Sequence, residues 1–183
     1  MRNSRAMISI CRALPAILVA GLILVFFHDK AFTIDDAFFM RQAVQVLDDP
    51  LNPTGFDYIW DNREARASVL SPSGPVMAYI LAPAAAAGGA EWAAHLTVFY
   101  FLCIAVLAMV ALCERLGLGR EAIFGGLLLV GAPAVLVMAG TAMPDIPVMA
   151  LATAGMERIL AFRDERRAGQ GVSAGIMLGL AVL

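Results

Sequence analysis

"GPVMAYILAPAAAAGGA", Gly74 to Ala90, decides how this chain threads. The stretch is apolar, but it is only 17 residues long, and it contains Pro75, Pro83, Gly88 and Gly89, with Pro72 just before it. A helix that crosses a bilayer needs about 20 mostly apolar residues. Proline removes a helical hydrogen bond and glycine weakens a helix interior. If Gly74–Ala90 crosses, every later loop takes one assignment of sides. If it does not, all of them change sides.

A membrane is implied because the 183 residues are 61% hydrophobic, above the roughly 45–50% of soluble domains. The mean hydropathy is +0.80. Charges interrupt the apolar runs mainly at their ends. The candidate runs are Ile8–Phe27, Gly74–Ala90, Ala93–Cys113, Ala122–Ala142, Ile146–Phe162 and Val172–Leu183. Arg2, Arg5 and Arg12 precede the first run like a signal peptide. That run ends in "FFHDKAF", which has no small-residue cleavage site, so it reads as an uncleaved span.

Loop charge decides the fate of Gly74–Ala90, because Lys and Arg collect on the cytoplasmic side. If every run crossed, with the N-terminus inside, Arg115, Arg120, Arg158, Arg163, Arg166 and Arg167 would all face outward. If Gly74–Ala90 stays at the surface, the cytoplasm holds these six together with Arg2, Arg5 and Arg12. That is 9 of the 13 basic residues. The expected arrangement is an all-α integral membrane bundle with a cytoplasmic N-terminus. Its spans lie near 8–27, 93–113, 122–142, 146–162 and 172–183, and its first outer loop covers 28–92. The last run stops short of a span, so the chain reads as the N-terminal piece of a longer protein.

This threading places two acidic sites on one side. "FTIDDAFFM", Phe32 to Met40, follows the first span and carries Asp35 and Asp36. "TAMPDIPVM" carries Asp145 in a turn between later spans. Acids at helix starts cap free N–H groups and suit the helix dipole. A carboxylate held at the membrane surface can also act as a general base or bind a cation. The two roles are compatible.

After the acidic pair, Met40, Ala43, Val44 and Leu47 repeat at i, i+3, i+4 and i+7. That spacing predicts an amphipathic interfacial helix, ended by Pro50 and Pro53. Thr33 and Asp36 match an acidic form of the capping box. The rest of the outer segment is turn-rich, and 28–73 carries a net charge of −4. Phe38, Phe39, Tyr58 and Trp60 could line a pocket or anchor at the interface. Cys11, Cys103 and Cys113 lie in or beside apolar runs, and His28 and His95 have no ligand spacing, so no metal site is expected. The chain has no phosphate-binding loop, dinucleotide fingerprint or serine elbow, and no basic cluster suited to nucleic acid.

Taken in order, these features resemble the polyprenyl-phosphate-dependent membrane glycosyltransferases of the GT-C fold, glycosyltransferase family 39-like. Those enzymes include protein O-mannosyltransferases and aminoarabinose transferases. The acidic pair opening the first outer loop, the Pro-rich "SPSGPVMAYILAP" and "GAPAVLVMAGTAMPDIPVMAL" carry the resemblance. It implies a GT-C bundle with a juxtamembrane helix in the bacterial inner membrane. It also implies transfer of a sugar from a polyprenyl phosphate to a lipid, glycan or protein acceptor at the outer face, without a metal or other cofactor. Asp35 matches the family's acceptor base, Asp36 the variable second acid, and Asp145 the acid after the third span. The family often places a basic residue before the juxtamembrane proline. Here Ser71-Pro72 and Gly74-Pro75 stand instead, so the expected phosphate contact is Arg63 or Arg66, with Tyr58 and Trp60 beside them, or a cation outside residues 1–183. The rival expectations are a multi-span transporter or flippase, which would carry acids in mid-span, and a non-catalytic membrane subunit.

Overall fold

The computed structural model describes residues 2–33, 35–60, 62–70 and 74–182. Ser71, Pro72 and Leu183, which enter the expectations above, lie outside the described residues. The chain is mostly helical. The first helix, α1 (Arg2–Leu24), continues through a 3₁₀ turn to Phe27. Its apolar stretch Met7–Phe27 is long enough to cross a membrane. Ala13, Ala16 and Ala20 are fully buried, whereas Leu14, Leu18, Leu22 and Phe26 are exposed. Small residues face the protein and large ones face outward, which suits a helix that packs closely on its neighbours within lipid.

The helix α2 (Asp36–Asp48) follows a short loop. A β-hairpin comes next, with β1 (Asp57–Trp60) antiparallel to β2 (Arg63–Arg66), so the fold is not purely α. Asn62 takes φ 60°, a left-handed conformation that Asn tolerates in a tight hairpin. A single turn, α3 (Ala67–Leu70), precedes α4 (Val76–Ala86). With 11 residues, α4 is about 16 Å long at 1.5 Å per residue, against roughly 30 Å of hydrocarbon. It is too short to cross. Gly88 and Gly89 end it with φ of 98° and 71°, values that glycine adopts without strain. The Gly89 amide returns to the Ala84 carbonyl, as at other left-handed helix ends.

α2 and α4 pack on each other. The buried side of α2 carries Phe39, Met40, Ala43 and Val46, while Val44 and Leu47 remain 37% and 48% exposed. The expected apolar face is therefore rotated. α2 is apolar over more than one face, and the position of α4 selects which part is covered.

The second long apolar helix is α5 (Glu91–Arg115), also long enough to cross. The 122–142 run is broken into α6 (Ala122–Gly131) and α7 (Pro133–Ala139), bent by 64°. Pro133 has no N–H to continue the helix and forces Ala132 into an extended conformation, φ −72°, ψ 118°. Counted as one bent span, the pair would be a third crossing. α8 (Asp145–Glu165) has 21 residues, but Glu157, Arg158, Arg163, Asp164 and Glu165 fill its last half. α9 (Ala168–Val182) has 15. Gly155 of α8 sits where any side chain would strike Leu178 of α9, so the two helices approach closely.

Polar links define two ends. At one, Arg12 and Ser9 of α1 donate to Glu114 of α5 at 2.5 and 2.6 Å. Arg115 donates to Glu157 at 2.6 Å and to Glu165 at 3.2 Å. Arg158 also pairs with Glu157, which is only 3% exposed. At the other end, His95 of α5 bonds the His28 carbonyl at 3.1 Å. α1 is therefore antiparallel to α5, and α8 runs parallel to α5.

Candidate functional site

The end away from Glu114 gathers the loop after α1, the α7–α8 turn and the α2–α4 pair. Asp36 joins the first two. It is fully buried. Its Oδ1 accepts the Ala142 amide at 2.8 Å. Its Oδ2 accepts the Thr33 amide at 2.9 Å and, more weakly, the Thr33 hydroxyl at 3.4 Å. The Thr33 amide bond has the form of a capping-box return bond, but the helix starts at Asp36 with Asp35 as N-cap, so the expected box with Thr33 at the cap does not form. The Ala142 bond is long-range: one carboxylate holds its own helix start and the turn before α8. Lys30 ties the same turn, donating to the Gly140 carbonyl at 3.1 Å and the Thr33 hydroxyl at 3.0 Å.

Asp35 differs from its neighbour. Its carbonyl starts α2 by accepting the Phe38 and Phe39 amides. Its side chain is half-buried and, among the described residues, takes no hydrogen bond. That leaves the carboxylate able to accept a proton from an incoming hydroxyl. Asp145 opens α8 three positions beyond Ala142 and is exposed. The fold thus brings Asp35, Asp36 and Asp145 to one end, with one tied and two open.

Between α2, α4 and the start of α8 lies a cavity of about 220 Å³. Phe39, Met77, Ile80, Pro144, Pro147 and Leu151 are among its walls. Pro144 and Pro147 flank Asp145 in sequence, but Asp145 itself is not one of the walls.

The aromatics form a cluster. Phe38 is buried and meets Tyr58 and Trp60 edge-on, with centroids 5.1 and 5.8 Å apart. Arg41 lies over the Phe56 ring at 5.0 Å. The hairpin register separates the two candidate phosphate contacts. Arg63 opposes Trp60, and Arg66 opposes Asp57. Residues directly opposite share a face and neighbours along a strand alternate. Arg63 is therefore on the Tyr58–Trp60 face and Arg66 on the other, where it pairs with Asp57 at 3.3 Å. The two arginines do not converge from one face of the hairpin.

Lys30 and the Ala142 amide were not legible as parts of this site. Lys30 had only a side assignment, and a backbone donor carries no residue-type signal. Among the described residues, no group of three His, Cys, Asp or Glu side chains is placed to hold a metal ion. Compared with protein-family models, curated proteins and solved structures, the chain matches none.

Proposed function

We propose that the chain works in a GT-C-type glycosyltransferase of the bacterial inner membrane, with its N-terminus in the cytoplasm. The enzyme moves a sugar from a polyprenyl phosphate to an acceptor hydroxyl at the outer face. The observation that carries this reading is the Asp36–Ala142 bond, which brings the first-loop acid pair beside the turn leading to Asp145. Asp35 is the base, because its carboxylate is unengaged whereas both oxygens of Asp36 are used. The acceptor oxygen bonds to the anomeric carbon as the bond to phosphate oxygen breaks. The lipid phosphate leaves with the electron pair, and Asp35 takes the acceptor proton. Asp145 borders the site, and Arg63, on the aromatic face with Tyr58 and Trp60, is the nearer candidate for the leaving phosphate.

The orientation rests on the arginines, which crowd the Glu114 end. A transporter is less well supported, because the buried acid Glu157 is paired with two arginines rather than left along a path. The test uses the full-length gene product in bilayers, with a panel of polyprenyl-phosphate sugars, and follows release of polyprenyl phosphate. Asp35→Asn should lower turnover by about 10²–10⁴-fold, the usual loss of a general base. Turnover unchanged in both Asp35→Asn and Asp145→Asn would favour the non-catalytic subunit.

A further inference from the structure

A second cavity, of about 330 Å³, lies between α1, α5 and the end of α7. Leu24, Val25, Phe27, Trp92, Leu96 and Phe99 give it an apolar wall. Among the described residues, α1 and α5 are each long and apolar enough to span a membrane, and the groove lies where the end of one meets the start of the other.

The polar groups at this groove have an unusual balance. Lys30 donates to the carbonyl of Gly140, a wall residue, and to a hydroxyl, and it pairs with no carboxylate among the described residues. His28, also on the wall, uses Nδ1 on the Val25 carbonyl. Its acidic neighbour is Asp29, exposed and 3.9 Å away. His95 is the third wall residue and only 5% exposed. Its Nδ1 meets a carbonyl, which can only accept, so Nδ1 carries a proton and, in the neutral ring, Nε2 is the acceptor. That Nε2 is buried and has no hydrogen-bond partner among the described residues. Buried polar atoms in folded proteins nearly always have one.

We propose that this groove binds one anionic phospholipid of the phosphatidylglycerol type. An acyl chain fills the apolar wall, the phosphate diester sits at Lys30, and a headgroup hydroxyl donates to His95 Nε2. An unpaired ammonium and an unpaired acceptor beside an apolar slot match that molecule. Phosphatidylcholine offers no headgroup donor and no net charge. The inference does not rest on the transferase reading.

The full chain is reconstituted in bilayers doped with lipids brominated on the acyl chain, and quenching of Trp92 is measured. Trp92→Phe supplies the Trp60 background. Brominated phosphatidylglycerol should be enriched at Trp92 by about fivefold over brominated phosphatidylcholine, the effect of one lysine near a charged headgroup layer. Lys30→Gln should remove the preference, and Lys30→Arg should keep it. Phosphatidylmethanol, anionic but without a headgroup hydroxyl, should quench less than phosphatidylglycerol. Equal quenching by the glycerol and choline lipids, or by the glycerol and methanol lipids, would overturn the proposal. So would a preference that survives Lys30→Gln, or displacement of the lipid by equimolar polyprenyl phosphate. No sugar transfer enters the readout, so its failure leaves the transferase test untouched.

Discussion

The buried carboxylate of Asp36 accepts the backbone amide of Ala142 at 2.8 Å, across 106 positions of chain. Its other oxygen accepts the Thr33 amide. Adjacent Asp35 makes no comparable bond. Two neighbouring acids of the same type therefore have different physical roles, and substitution should separate them. Asp36→Asn keeps one acceptor oxygen but sets an NH₂ donor against an N–H donor. Leaving a buried polar group unpaired costs about 1–3 kcal/mol. Thermal unfolding of the purified protein should show that loss. Asp35→Asn should leave stability within about 0.5 kcal/mol, as for substitutions that break no buried contact. Equal losses in both variants would remove the distinction between a staple and a free acid.

Glu157 supports a second prediction at the opposite end. It is 3% exposed and holds Arg115 and Arg158, linking α5 to α8. Breaking a buried ion pair typically costs about 3–5 kcal/mol, a ceiling here because Arg115 keeps Glu165. Glu157→Gln should therefore be among the most destabilising single-atom changes in the chain. Glu165→Gln should cost less, because Glu165 is more exposed and Arg115 keeps Glu157. Denaturant or thermal midpoints of the two variants, measured side by side, check the order.

The glycines offer a packing test. A side chain at Gly126 would meet Val110 at 3.1 Å, and Ala16 and Val106 at 3.3 Å, where α6 touches both α1 and α5. Gly126→Val should cost about 1–3 kcal/mol through overpacking. Gly175, in α9, faces open space. Gly175→Ala should be neutral or raise stability by about 0.5–1 kcal/mol, because alanine favours the helix. A tolerated Gly126→Val would mean that the three helices do not approach as described.

How much of this was readable in the residues depends on the range of the interaction. α1 and α5 follow from unbroken apolar runs, and the shortness of α4 follows from its prolines and the Gly88-Gly89 pair. Those signals are local. The bend at Pro133 was also written locally, but the apolar run across it hid the break. The rotated face of α2 was not legible, because Phe39, Val44, Val46 and Leu47 give it several apolar sides and only the placement of α4 chooses among them. Tyr58 and Trp60 alternate as in a strand, yet four residues are too few to announce a hairpin. The site divides in the same way. The acids could be placed at one end from loop charge, but the difference between Asp35 and Asp36 comes from an amide in a distant turn.

That turn also supports a threading prediction. Arg115, at the end of α5, reaches Glu157 and Glu165 near the end of α8, so the loops after both helices lie at one end. Gly117 follows α5, and Gly169 lies in the first turn of α9, just past the end of α8. Asn52 lies after α2, at the opposite end. Reporter fusions at Gly117 and Gly169 should therefore read the same compartment, and a fusion at Asn52 the other. The concentration of arginine at the Glu114 end predicts that the shared compartment is the cytoplasm. If Gly117 and Gly169 reported opposite sides, α5 and α8 could not run parallel. The Arg115–Glu157 pair would then be lost, and Asp35 would no longer share a membrane face with Asp145.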